Sequence, residues 1–571
     1  MIRPTPAIVT QLAARRLPRW VLALLGLFYV LPGFVGRDPW RNDDLAAFGV
    51  MLELAHHSGS WWQPGLLGEP AITTGWLPYW LGAVFIQLFG FLPADLAAKL
   101  PFAGLLFITL GSTWYGVLHL ARLPAAQPVV FAFGGEAHPV DYARATADAA
   151  LLALVASLGL ALLAHETSVD AARLAFTALA FHAAARSLST HARHHLKTLG
   201  LWWLSAWGLA LSGMPGLALW LGLLTALPHL LPRILLFPGQ PAAGRSLAMA
   251  GLTGSALAAG CVFGLAGLEA DAFRTLSHWQ HDESWRSLGR LLLWFTWPAG
   301  LLAIWAVWSW RRQWRCAHWL LPVTWVGSIL ILVWLEGGRD RTLLLALPML
   351  ACLAAFALPT LRRSVTAWLD WFALLFFSGG AVVIWIYWLA MTIGMPVKPA
   401  ATVSKLFPTF EPAFSFVFFI PALLVTLGWI GIMVWRIGRH RPALWKSLVL
   451  SASGSTFCWV LLMTLWLPLL NHGMGQAPIS QRVAAVTPAG DCVAVHGLGH
   501  AQIAGLRYHG QLHVERAGQP SAERCSRLVV DTADYATLSK QVDLDEWKLM
   551  NRIPRLRENR ETWMVFERGG E

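Results

Sequence analysis

Long apolar runs dominate the chain, and short polar stretches interrupt them. Crossing the hydrocarbon core as a helix takes roughly 20 apolar residues. Thirteen stretches come close enough to read as spans: 20–36, 75–91, 100–120, 148–165, 198–213, 215–232, 246–268, 288–308, 317–336, 342–360, 367–392, 412–434 and 446–470. Segment 169–188 is alanine-rich and weakly apolar, so it reads as an interfacial or partly buried helix. After 470 the pattern changes. The tail is polar, and CVAVHGL (492–498) and RLVVDTA (527–533) alternate as strands do. The expectation is an α-helical polytopic membrane domain over 1–470 and a small α/β domain over 471–571. No internal repeat is evident.

Charge orients this pattern. Arg3, Arg15, Arg16 and Arg19 precede the first span, which lacks a small-residue cleavage site and so reads as an uncleaved helix. Lys and Arg favour cytoplasmic loops. With the N-terminus inside, alternation also puts RHHLK (193–197), RRQWR (311–315), LRR (361–363) and RIGRHR (436–441) inside. An odd span count then puts the tail outside. It joins loops 37–74, 121–147, 269–287, 337–341 and 393–411, where the polar chemistry concentrates.

Composition agrees. Of 571 residues, 56% are hydrophobic and 13% charged, mean hydropathy is +0.53, and there are 33 Trp. Soluble domains run at about 25% charged. The net charge of +12 reflects basic inter-helix loops rather than a nucleic-acid surface. Six Cys are scattered with no CxxC, and Cys492 and Cys525, both in the tail, can pair if it is extracytoplasmic.

The first outside loop opens with RDPWRNDD (37–44). Asp43 or Asp44 can cap the helix that follows, or serve as a general base at the membrane–water interface. Asp38 reads as an interface residue. Asp148 stands at the threshold of a span, where a carboxylate is costly unless paired or facing water. Arg144, one turn earlier, is its partner in either an ion pair or a site. EGGRDRTLLLALP (336–348) carries Arg339 and Arg341, whose planar forks suit phosphate oxygens; snorkelling to lipid headgroups is the competing reading. Trp40, Trp61 and Trp62 can line the interface or stack on sugar rings. His56, His57, His138, His278 and His281 lack metal-ligand spacing, so substrate contact is expected of His138 and His281 and no metal. A divalent cation between Asp43 and Asp44 is the minor alternative.

The block DPWRNDDLAAFGVMLELAHHSGSWWQPGLLGEPAITTGWLPYWLGAVFIQLFG (38–90) resembles the first periplasmic loop of the GT-C glycosyltransferases, in the branch of the lipid A aminoarabinose transferase and the dolichyl-phosphate-mannose protein mannosyltransferases. The matching pieces are Asp43-Asp44, Gly59-Ser60-Trp61, Gly68-Glu69-Pro70 and Leu88-Phe89-Gly90. Asp148 resembles the second acidic residue, GLALSGMPG (208–216) the Gly-Leu-x-x-Leu-Thr-Lys-Gly-Pro stretch, and RDRTLLLALP (339–348) the basic residue before a Pro-ended span. Thr73-Thr74-Gly75 stands where relatives often have Glu-Lys-Pro, Ala46 where they have Arg, and Gly213-Met214 where they have the Lys. Arg37, Arg41, Arg144, Arg339 or Arg341 would then supply charge to a phosphate. The resemblance implies an inner-membrane enzyme that moves a sugar from a polyprenyl-phosphate donor to a periplasmic lipid, glycan or protein, without a cofactor. Asp43 would be the base, Asp44 the second choice, and Asp148 would orient the site. A flippase of lipid-linked sugars and a polymerase or ligase using a diphosphate-linked glycan are the alternatives.

Overall fold

The structure is a computed structural model that describes residues 5–56, 58–189, 195–230, 242–266, 285–336, 339–438, 443–538, 542–554 and 562–569. The chain is a multi-pass membrane protein. Among the described residues five helices are long and apolar enough to cross a membrane, and two bent helix pairs raise that to seven. The first ten helices in chain order are α1 (Arg19–Val30), α2 (Asn42–Ala55), α3 (Leu77–Leu88), α4 (Ala94–Ala121), α5 (Pro139–Ala156), α6 (Leu158–Leu163), α7 (Val169–Ser189), α8 (His195–Leu211), α9 (Pro215–Leu230) and α10 (Ala242–Ala266).

The expected span 75–91 does not cross. The Lys99 ammonium, one turn into α4, donates to the Arg37 carbonyl, so the chain leaves and regains one face between these residues. α3 has 12 residues, roughly 18 Å of helix against about 30 Å of hydrocarbon. It lies on α2, with Gln87 donating to the Ala55 carbonyl at 3.0 Å.

The polar loop 121–147 therefore belongs to the opposite face. Its backbone pairs with the N-terminal segment: Val129 N–H donates to Ala7 at 2.9 Å and Ala137 to Val9 at 3.0 Å. Asp141 accepts from Gln11 and Arg16. α5 and α6 run back to the first face, and α7 leaves it again. α7 covers 169–188, the segment expected at the interface, and nearly all of it is buried. Its far end meets the end of α4, where Ser189 Oγ lies 2.6 Å from His119 Nδ1. Hydropathy understated α7 because its alanines pack against neighbouring helices rather than lipid, and small side chains permit that close approach. The two changes offset each other, so later elements keep their expected sides. Arg341 meets Asp43 on one face, and Leu444 N–H donates to the Ala13 carbonyl on the other.

Two short strands, β1 (Gly65–Leu66) and β2 (Glu69–Pro70), make a hairpin between α2 and α3. The tail forms β3 (Cys492–His496), β4 (His513–Arg516), β5 (Arg527–Asp531), β6 (Trp547–Pro554) and β7 (Thr562–Arg568). They build one sheet in the order β4-β3-β5-β7-β6. β3 is parallel to β4 and β5, and the β5–β7 and β7–β6 pairs are antiparallel. Cys492 and Cys525 form a disulfide. The helix His500–Tyr508 lies on α2, where a Cβ at Gly49 would collide with the Ala504 methyl. Glu53 pairs with Arg507, and Tyr508 donates to Asp95 at 2.8 Å. The polar tail thus roofs the face that carries RDPWRNDD.

Candidate active site under the tail

Asp43 and Asp44 occupy the first turn of α2, where the helix dipole favours negative charge. One residue of helix turns their side chains about 100° apart, and their surroundings differ accordingly. Asp44 is buried. Its Oδ2 accepts from Arg37 Nη2 at 3.0 Å, and its Oδ1 from the Thr167 N–H and hydroxyl at 2.8 and 2.5 Å. Arg37, also buried, donates to the Gly33 and His165 carbonyls at 3.0 and 2.6 Å. This pair clamps the strand leaving α1 to the turn between α6 and α7. Nothing of Asp44 is left for a substrate, which removes it as second choice for the base.

Asp43 is half-exposed, at 48% for its side chain. It borders a small cleft with Ala46, Thr73, Tyr79 and, from the tail, His500. The His500 Nε2 is buried without a hydrogen-bond partner among the described residues. Burial pushes the His500 imidazole below its ordinary pKa.

Arg341 is the hub of this face. Its Nε lies 3.0 Å from Asp43, and its Nη1 lies 2.7 Å from Glu166 and 3.2 Å from Asp170. Burial works against the guanidinium charge, but Glu166, Asp170 and Asp43 outweigh it and raise its pKa. Glu166 is 1% exposed. Burial pushes its carboxyl up to about 7, against the pull of Arg341. Arg41, 39% exposed, reaches Glu166 at 3.9 Å and Asp340 at 3.6 Å.

Arg173 closes the arrangement from α7. It pairs with Asp170 at 3.0 Å and donates to the Ser212 and Thr74 carbonyls at 2.8 and 3.2 Å. The stretches Thr73-Thr74-Gly75 and Ser212-Gly213 therefore lie against each other, with the Arg173 guanidinium bridging them. Gly213 sits at φ +83°, and a Cβ there would run into the Thr74 carbonyl. Its glycine serves this close approach.

The structure separates several residues expected here. Asp148 accepts from the Leu17 N–H at 3.0 Å and Trp114 Nε1 at 2.9 Å, on the far side of α1. The 15 residues from Arg19 to Gly33 put roughly 22 Å between Leu17 and the Asp44 clamp. Arg144 and His138 share the α5 helix and its N-cap with Asp148, so all three leave the site. Span 75–91 had reversed the side of their loop. Trp40 is buried and donates to Asn471 at 2.7 Å, so it anchors the chain after 470 rather than lining a substrate path. Trp61 is half-buried, and its carbonyl accepts from Trp80 at 2.7 Å. Trp62 is exposed and stands edge-on to the stacked Trp76 and Trp80. Arg339 is exposed and forms no ion pair among the described residues. His281 lies outside the described residues. The Asp43 and Asp44 carboxylates have separate partners, and among the described residues no three His, Cys, Asp or Glu side chains are grouped to hold a metal.

Glu166, Asp170 and Arg173 were not anticipated. The signal for Glu166 and Asp170 is HETSVD (165–170), a largely polar hexapeptide between apolar stretches like RDPWRNDD, and Arg173 follows one turn later in α7. With α7 taken as interfacial, the hexapeptide did not read as a loop on this face.

No family model matches the chain, and none of the curated proteins matches it in sequence. Among solved structures, ArnT from Cupriavidus metallidurans in the apo state superposes with a TM-score of 0.61 at 17% identity, covering 96% of this chain and 98% of that one. The same protein bound to undecaprenyl phosphate gives 0.61 at 16% identity, with the same coverage.

The chain has the GT-C fold. Likeness at this identity carries the architecture alone. Within that GT-C frame, one face gathers Asp43, Glu166, Asp170 and Asp340 around Arg41, Arg173 and Arg341, with the tail above.

Proposed function

We propose that this chain is a GT-C glycosyltransferase of the bacterial inner membrane. It would move a sugar from a polyprenyl-phosphate-linked donor to a periplasmic lipid, glycan or protein, with its N-terminus cytoplasmic and residues 471–571 as a periplasmic unit. One observation carries the reading: Arg341 stands beside the half-exposed carboxylate of Asp43 on the face that the tail covers. The fold shared with a protein captured with undecaprenyl phosphate supports it.

The polyprenyl chain stays in the bilayer, so donor and protein meet at the interface. The acceptor hydroxyl attacks the anomeric carbon while Asp43 takes its proton. The bond from that carbon to the phosphate oxygen breaks, and the polyprenyl phosphate leaves with the electron pair. Attack opposite the leaving group inverts the centre. Positive charge on the departing phosphate is the main electrostatic need. Arg341 supplies it, with Arg41 and Arg339 at the rim, and no cofactor enters. Glu166 and Asp170 hold Arg341 until the phosphate takes their place.

Proteoliposomes given a radiolabelled sugar on polyprenyl monophosphate test the reading. The expected result is label transferred to acceptor by the wild-type chain and lost in Asp43→Asn. Label that crosses the bilayer still attached to its lipid would instead establish a flippase.

A further inference from the structure

A second feature lies at the opposite face, away from Arg341. α1 and the helix Phe416–Gly438 both pack on the helix Lys446–Leu462. Between them runs a cavity of about 910 Å³. Its walls are apolar: Leu24, Phe28, Leu424, Ile432, Val449 and Phe457 are typical. Several are largely exposed, with Leu424 at 62% and Phe28 at 45%. One end differs. Arg15, Arg16 and Lys446 gather there, with Trp20, Trp435 and Trp445. Trp445 Nε1 donates to the Arg15 carbonyl at 2.7 Å and holds this end together. Arg16 is engaged by Asp141. The Arg15 side chain is exposed and makes no ion pair among the described residues.

The dimensions decide what fits. Along α1 the lining runs from Pro18 to Phe28, roughly 15 Å of helix. Along the second helix it runs from Leu424 to Trp435, roughly 17 Å. Half of a hydrocarbon core is about 15 Å. The cavity is therefore one leaflet deep, with cations and indole rings at its polar end, where headgroups and aromatic belts lie. Basic pockets between spanning helices select anionic headgroups.

We propose that this groove binds one anionic diacyl phospholipid of the leaflet opposite the candidate active site, its phosphate on Arg15 and its acyl chains along α1 and Phe416–Gly438. A polyprenyl phosphate does not suit it, because its chain is far longer than one leaflet and its phosphate is needed on the other face. The bound lipid would brace α1, whose end leads through Gly33 into the Arg37–Asp44 clamp.

Native mass spectrometry of the full chain, titrated with phosphatidylglycerol, phosphatidylethanolamine or undecaprenyl phosphate, tests this. The expected result is a single phosphatidylglycerol retained roughly tenfold better than phosphatidylethanolamine, with undecaprenyl phosphate failing to displace it. Arg15→Glu should erase that preference. Gly428 lines the groove, and a Cβ there meets open space. Gly428→Leu should therefore fill the groove and reduce retention of either phospholipid without disturbing the fold. Equal retention of the two phospholipids, retention unchanged in both variants, or displacement by undecaprenyl phosphate would each overturn the assignment.

Discussion

Asp43 and Asp44 are neighbours in sequence with opposite surroundings, and substitutions should separate them. Asp44→Ala leaves Arg37 buried without its carboxylate, a loss of about 3–5 kcal/mol, and should show as a large drop in melting temperature. Asp43→Asn sits in a half-exposed position and should melt within a few degrees of wild type while losing transfer by two to four orders of magnitude, about the contribution of a general base. Turnover near wild type in Asp43→Asn would sink the base assignment. Glu166 adds a pH signature. Its carboxyl is raised to about 7 by burial, so the folded chain holds a proton that the unfolded chain releases near 4.5. Stability from this group therefore falls as pH rises from about 4.5 through 7. Donor binding should weaken over the upper part of that range, because ionised Glu166 competes for Arg341. Glu166→Gln should flatten the dependence of donor affinity between pH 6 and 8, and a slope equal to wild type would refute the competition.

At the scale of elements, α3 and α7 exchange the roles that hydropathy assigned. α3 is apolar enough for lipid but too short, and it spends its surface on α2 and on the Trp61–Trp80 region. α7 is too polar by hydropathy and is buried among other helices. Single cysteines at Phe91 and Val130, both exposed, test the resulting path in a chain whose free cysteines are replaced. An impermeant thiol reagent should label Phe91→Cys from the same side as Gly68→Cys, and Val130→Cys from the other side. Labelling of positions 68 and 130 from one side, with 91 labelled from the other, would restore the path with a crossing α3.

At the scale of the molecule, the tail and the membrane bundle meet through α2. The Cys492–Cys525 link closes a loop of 33 residues within the tail, worth roughly 3–4 kcal/mol in the chain-entropy account. Cys525→Ser should lower the tail's melting transition and leave the bundle's helical signal. A melt identical to wild type would show that the link does not stabilise the tail. Gly49→Leu, which pushes on Ala504, should lift the tail from α2 and expose Asp43 and His500 together.

The sequence by itself determined the membrane class, the polar tail with its two strand cores, and the face on which RDPWRNDD and RDRTLLLALP would meet. Apolar run length and basic-loop placement are local quantities, and they survive without knowledge of packing. Asp43 and Arg341 were legible for the same reason, since each belongs to a charged stretch beside an apolar one. The tertiary structure alone decided which of two adjacent aspartates stays open, that Asp148 with Arg144 and His138 belongs to the other face, and that HETSVD brings Glu166 and Asp170 to Arg341. Those outcomes depend on which helices touch. A lipid-facing helix must be apolar, whereas a helix enclosed by others can be polar or alanine-rich, and hydropathy along the chain does not distinguish an enclosed helix from an interfacial one.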